Sequence, residues 1–177
     1  PATLIDTIKV NRGAAPVSFG PSLVGGVETR LKQVPFAELD VLEASYDVTA
    51  IGRSADSSHG IGLVGGVSNQ MIRAYGFYSD ERGSDRKFPG GYIDSTSYDR
   101  QVYGLGAGLK HGNNEWDLEL RRQETGPTGN PPFAMDIDYV KTDFARLRFE
   151  TKFADTTMAL AFGYSDVSHG MNNFGQR

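Results

Sequence analysis

An all-β fold is predicted by three features of this 177-residue chain: abundant glycine and aromatic residues, period-two alternation of apolar and polar side chains, and connections of two contrasting lengths. Twenty-two residues are glycine and 11% are aromatic, while only 38% are hydrophobic. Helices tolerate glycine poorly, whereas turns, bulges and close strand contacts use it freely. The composition also excludes several classes of function. Eighteen basic against 22 acidic residues, a formal charge of -4, argue against a module that binds nucleic acid by neutralising phosphates. With no cysteine, disulfide scaffolds, cysteine zinc sites and thiol catalysis are excluded. No apolar run approaches the roughly 20 residues of a transmembrane helix, and mean hydropathy is -0.39. That excludes helical spans only, because a barrel strand alternates its two faces and produces no hydropathy peak.

Up to Pro35 the pattern is irregular. Leu4-Ile5 and Ile8 to Val10 are short apolar stretches, Arg12 to Pro16 and Phe19-Gly20-Pro21 carry turn chemistry, and Gly25-Gly26-Val27 leads into a run ending at Lys32. Brief strands joined by tight turns are expected there. After Phe36, weaker strand candidates cover Glu38 to Val48, Ile61 to Val67 and Met71 to Tyr78. Tyr103, Leu105, Ala107 and Leu109 then alternate with Gly104, Gly106 and Gly108, and Trp116, Leu118 and Leu120 with charged residues. From Asp143 to Phe153, apolar Ala145, Leu147, Phe149 and Phe153 oppose Arg146, Arg148, Glu150 and Lys152. Met158, Leu160, Phe162 and Tyr164 complete the series.

His111 to Asn114 and Ala154 to Thr156 read as short hairpin turns, and Ser79 to Ser95 and Gln123 to Tyr139 as long polar loops. Tyr75, Phe77, Tyr78, Tyr103, Trp116, Phe153 and Tyr164 gather near strand ends, where the aromatic girdles of an outer-membrane barrel would sit. A soluble β-sandwich or lipocalin-like barrel, one face on a dry core and the other solvated, satisfies the same alternation. Alternation leaves both readings open.

The segment Leu4 to Lys32, LIDTIKVNRGAAPVSFGPSLVGGVETRLK, resembles the end of the plug domain of TonB-dependent outer-membrane receptors. The resemblance rests on Ile5, Asp6, Ile8, Val10, Arg12, Gly13, Phe19, Gly20, Gly25, Gly26 and Val27; Ala14, where proline is usual, and Glu28-Thr29, where the strand is commonly more apolar, depart from it. It implies a fragment of a transmembrane antiparallel β-barrel preceded by the C-terminal part of a plug: residues 1–35 the plug end, residues 36–177 the first seven or eight barrel strands. A plugged barrel of about 22 strands needs several hundred residues, so the expectation is a piece of a longer protein. The implied partners are outer-membrane lipid, the TonB energy-coupling complex acting through an N-terminal part outside this chain, and a metal ion or metal chelate.

Pro131 to Tyr139 and Tyr164 to Phe174 resemble the copper-receptor branch of that family, in which a His-x-Met pair near an extracellular strand end binds copper together with soft plug ligands. The corresponding residues are His169 and Met171, and the ligand implied is a transported copper ion, with no cofactor required. Residues i and i+2 of a strand share a face, thioether sulfur favours Cu(I), and imidazole suits several transition metals. Two donors are too few for a tight site; the structural reading is a solvated histidine beside a packing methionine. Met135 is a further candidate donor, and Asp136 with Asp138 a weaker Ca²⁺ candidate. Arg146, Arg148 and Lys152 are expected on the lumen face, pairing with plug carboxylates. His59 and His111 fall in turn-like surroundings and carry no assignment. No nucleophile elbow, phosphate loop or acid–base pair of carboxylates is present, so no enzyme is expected. An iron-siderophore receptor of the same family and a small soluble β-rich binding module are the alternative functions.

Overall fold

The computed structural model describes residues 1–13, 25–129 and 135–172. A single 3-10 turn, Ala2–Leu4, leads into an antiparallel hairpin of β1 (Ile5–Arg12) and β2 (Gly25–Leu31). The proposed turn at Phe19-Gly20 lies outside the described residues. A strap over 32–42 then leads to a seven-stranded antiparallel sheet. Its strands are β3 (Glu43–Arg53), β4 (Ser58–Ser68), β5 (Ile72–Gly83), β8 (Tyr98–His111), β9 (Asn114–Thr125), β10 (Asp136–Phe153) and β11 (Thr156–Asn172). They follow one another as a meander, so each strand neighbours the next in sequence. Two short strands, β6 (Arg86–Phe88) and β7 (Gly91–Ile93), form a hairpin inside the connection from β5 to β8. Among the described residues β3 and β11 are the two edges, and the sheet is not closed on itself.

Strand pairing assigns every side chain to one of two faces, because directly opposed residues share a face. One face carries Leu63, Val67, Ala74, Tyr78, Leu105, Leu109, Leu118, Leu120, Leu147, Leu160 and Phe162. It is left open: Leu105 is 66% exposed and Phe162 67%. Outward Trp116 stacks on its cross-strand partner Phe149, ring centroids 4.2 Å apart. From Tyr103 to Leu109 this apolar belt runs about 20 Å along the strand. Beyond Tyr78 and Tyr103 it gives way to paired charges: Arg82 lies 3.2 Å from Asp80 and 3.6 Å from Asp99, and Arg122 lies 3.2 Å from Asp143.

The other face receives the N-terminal segment. Leu4, Val34, Val64, Tyr75, Phe77 and Val102 form its buried core. Residues of β3 at one edge and β11 at the other line a single cavity with β1 and β2, about 1560 Å³ in volume, so the sheet curves around the hairpin. Among the contacts that fasten the segment, Ala2 N–H donates to Glu81 at 2.8 Å, the Thr3 and Ser79 hydroxyls share a 2.7 Å hydrogen bond, and Lys32 Nζ donates to Asp47 at 2.5 Å and to Thr49 at 2.6 Å.

Several strands are longer than their apolar alternation. β5 continues to Gly83, β9 to Thr125, and β10 begins at Asp136, so the long loops shorten to 84–97, which itself holds β6 and β7, and to 126–135. The extensions of β5 and β9 are polar on both faces and owe their strand form to ladder bonds and ion pairs, while that of β10, which carries Ile137, Tyr139 and Val140, is held by its ladder with β11; alternation reports none of these. For the same reason His59 is a strand residue of β4 and His111 ends β8, rather than lying in turns. At the other extreme, β3 starts at Glu43 instead of Glu38: the backbone of Ala37 and the carbonyl of Leu39 bond to the Asn69–Gln70 turn, which holds this stretch as a strap.

Two of the seven aromatics expected at a girdle face the other way. Tyr75 and Phe77 point inward and are buried, while Tyr78, Tyr103, Trp116, Phe153 and Tyr164 remain exposed. Room for the two inward rings comes from β8. A methyl group at Gly104 would collide with the Phe77 ring and one at Gly106 with the Tyr75 ring. Gly106→Ala is therefore expected to cost about 1–3 kcal/mol by overpacking, read as a lowered urea midpoint. Adding Tyr75→Leu to the same chain is expected to restore most of that loss; failure to do so would detach the glycine from the ring.

Candidate functional site at the loop end of β10 and β11

The turn joining β10 to β11 occupies only 154 and 155, and the pairing then runs unbroken from Phe153↔Thr156 to Tyr139↔Gly170. This continuity fixes which face each residue takes. His169, opposite Val140, falls on the same face as Gly163, opposite Arg146, and so on the inner side that the hairpin occupies. Met171 lies two residues on, on the same face and about 6.6 Å further along the strand. The imidazole and the thioether are thus neighbours at the loop end of the inner wall.

Across from them the ladder is irregular. The register shifts between Ile137 and Tyr139, leaving Asp138 as an extra residue while Ile137 pairs with Met171. Thr128 also bridges Ile137 from the preceding loop, through backbone bonds of 2.9 and 3.0 Å. Bulges of this kind re-aim side chains and recur beside functional sites. The site is open as well: His169 is exposed and Met171 is 42% exposed, so both donors are reachable from solvent.

Two donors do not complete a coordination sphere. Among the described residues no group of three or more His, Asp or Glu side chains converges to hold a metal, so Asp136 and Asp138 form no such cluster with each other or with His169. Met135 is half-exposed and immediately precedes Asp136, which pairs with Asn172 beside Met171. Pro131 to Ala134, Asn173 and Phe174, part of the sequence signal here, lie outside the described residues.

The basic row of β10 is on the inner face, as its alternation predicts. Arg148 bonds to Glu150 two residues along its own strand at 2.6 Å, and Arg146 lines the cavity together with Glu28 of β2. A hydrogen bond from Arg30 holds the Glu28 carboxyl below its usual range; partial desolvation opposes this, and the charges of Lys9 and Arg146 add to it.

The strongest inner-wall cluster carried no signal in the sequence. Arg73 of β5 is 8% exposed and ion-pairs with Asp117 of β9, while its Nη1 donates to the Val34 carbonyl at 3.1 Å. Its guanidinium lies 4.6 Å from the Phe36 ring centroid, and Glu115 is 3.9 Å away. One side chain thereby joins two sheet strands to the strap.

No family profile matches this chain, and no curated protein matches it. Among solved structures, the copper transporter OprC superposes on 99% of the chain with a TM-score of 0.85 at 17% identity. The likeness establishes the fold: this chain is built like part of that transporter. It spans 27% of the transporter's length.

Proposed function

We propose that this chain belongs to a TonB-dependent receptor of a Gram-negative outer membrane that imports copper. Residues 1–35 are the end of its plug and 36–177 the first strands of its barrel. The observation that carries the reading is the placement of His169 and Met171, side by side and reachable on the inner wall at the loop end, within a fold like that of a copper transporter. In this reading copper is cargo and the protein performs no catalysis.

The supporting observations concern both faces of the sheet. An exposed apolar belt bordered by tyrosines and then by ion pairs is what a lipid-facing barrel wall requires. A soluble module would leave that belt in water. On the inner side, hydrogen bonds and one charge cluster fasten the turn and the strap that flank the N-terminal hairpin, as a plug is seated. The TonB complex would act through a region N-terminal to these residues.

A second ligand within the same class is favoured by Phe88 and Tyr92, aromatics exposed on the β6–β7 hairpin at the loop end, which suit an iron-siderophore. Deleting the gene and measuring cell-associated copper and iron under limitation of each metal separates the readings. Copper import predicts a severalfold fall in copper that TonB removal reproduces, with iron unchanged. A fall in chelated iron alone would replace copper by a siderophore. Recovery of the protein in the soluble fraction would overturn transport altogether.

A further inference from the structure

The N-terminal segment is fastened on one side. Ala2 and Thr3 bond to Glu81 and Ser79 of β5, Lys32 to Asp47 and Thr49 of β3, and Val34 to Arg73 of β5. Thr3 also lies directly over Gly62 of β4, where a methyl group would collide with it. Toward β9, β10 and β11 the hairpin instead borders the 1560 Å³ cavity, with Lys9, Glu28 and Arg30 on one bank and Arg121, Arg146 and Arg148 on the other. Charges on each bank are largely matched on their own side. Arg30 pairs with Glu28 at 2.8 Å on the hairpin, and Arg148 with Glu150 at 2.6 Å and Arg121 with Glu119 at 3.5 Å on the wall. Parting the two banks therefore strands little charge.

We infer that cargo leaving His169 and Met171 passes down the inner face of β11, between the hairpin and the wall, while the hairpin stays fastened to β3 and β5. The inference rests on the transport reading and deepens it by fixing which side of the plug end opens. On β11, Ser165, Gly163, Ala161 and Ala159 share the inner face with His169 and line the cavity. Ser165 is four residues from His169, about 13 Å along the strand, so small side chains lead from the donors into the cavity. The cavity is larger than the roughly 300–1,000 Å³ of a ligand pocket and charged on both banks, which suits transit of a hydrated or chelated ion better than retention. The fastened side has the opposite character. There Leu4 and Val34 pack with Val64, Tyr75, Phe77 and Val102 as an apolar core, and an ion entering it would lose its hydration without a polar group in exchange.

Two tethers in the full-length protein test this, each a pair of cysteine substitutions bridged by a bismaleimide and verified by intact mass. Bridging Lys32→Cys to Asp47→Cys holds the hairpin's base to β3, and copper uptake by cells is expected to stay within about twofold of the unbridged pair. Bridging Glu28→Cys to Arg146→Cys spans the cavity and is expected to cut uptake about tenfold. A third variant needs no bridge: a side chain at Gly163 starts in open space, with nothing within 4 Å of its first carbon, so Gly163→Trp obstructs the path without disturbing the sheet. It should lower uptake severalfold and leave copper affinity unchanged. Equal loss with both tethers would show that the whole hairpin must leave, and uptake unaffected by the cavity tether and by Gly163→Trp would place the path elsewhere; either overturns the inference. Absence of copper uptake in the unmodified protein would instead overturn the copper reading, and the same tethers would then be read with an iron chelate.

Discussion

Copper binding by the full-length protein is expected to weaken by more than about 100-fold when His169 and Met171 are both replaced by alanine. Changes confined to groups around a metal's ligands already cost about 10–100-fold in affinity, so removing two donors outright must exceed that. The two single variants carry the chemistry further. Thioether sulfur is a soft ligand, so Met171→Ala is expected to penalise Cu(I) more than Cu(II), whereas His169→Ala should affect both. Equilibrium dialysis against each oxidation state, with a competing chelator, reads the four values. Neither residue is part of the buried core, so the double variant should keep its urea midpoint and its membrane fraction. Wild-type copper affinity in that folded double variant would remove the copper assignment and leave the iron-chelate reading.

Removing the guanidinium of Arg73 is expected to produce the largest loss of stability of any single inner-wall change, about 3 kcal/mol. Arg73→Met removes the cation that pairs with Asp117, and frees the Val34 carbonyl and the Phe36 ring of the strap. Breaking a buried pair from one side costs about 3–5 kcal/mol; the lower end applies because Asp117 keeps 20% of its side-chain surface in solvent. Urea unfolding of Arg73→Met, Asp117→Asn and the double variant forms a cycle. The double variant is expected to be less destabilised than the sum of the singles, because no uncompensated charge remains. Strict additivity would show that the two residues contribute independently and that no clamp exists. Hydrogen exchange adds a second reading: amides at 37–40 should lose protection in Arg73→Met while those of β9 and β10 keep theirs.

These two predictions lie on opposite sides of what the linear pattern carried. That His169 and Met171 share a face was legible because i and i+2 in a strand do so whatever the strand pairs with; their choice as copper donors came from the resemblance to the copper-receptor branch. Arg73 was not, because its importance arises from Asp117, 44 residues away, and from a carbonyl on a strap that has no strand pattern. The same division runs through the aromatics. Tyr78 and Tyr103 were placed correctly at the border of the belt, whereas Tyr75 and Phe77 were assigned to it wrongly. Their alternation with Ala74, Gly76 and Tyr78 marks two faces but not which one is covered. The inward choice follows from Gly104 and Gly106 across the ladder and from the core that Leu4 and Val34 supply above.

Strand ends divide in the same manner. Apolar alternation locates most of the part of each strand that crosses the belt; β3 is the exception, running Glu43–Arg53 where Glu38 to Val48 was expected. Beyond the belt β5 and β9 are polar on both faces, and their continuation, like that of β10, depends on backbone pairing with a neighbour and, in β5, on ion pairs such as Arg82 with Asp99. A bulge is likewise a property of two strands together, and the one opposite Met171 has no signature in β10 alone.

By itself, then, the order of residues determined an all-β fold of alternating strands, the apolar face of each, a basic row on the opposite face of β10 and the shared face of His169 and Met171, since each depends only on spacing along one strand. Tertiary structure alone decided which face the N-terminal segment covers and that Arg73 joins strap to sheet. Each of those depends on register between strands distant in sequence, and period-two alternation repeats identically in every register shifted by two.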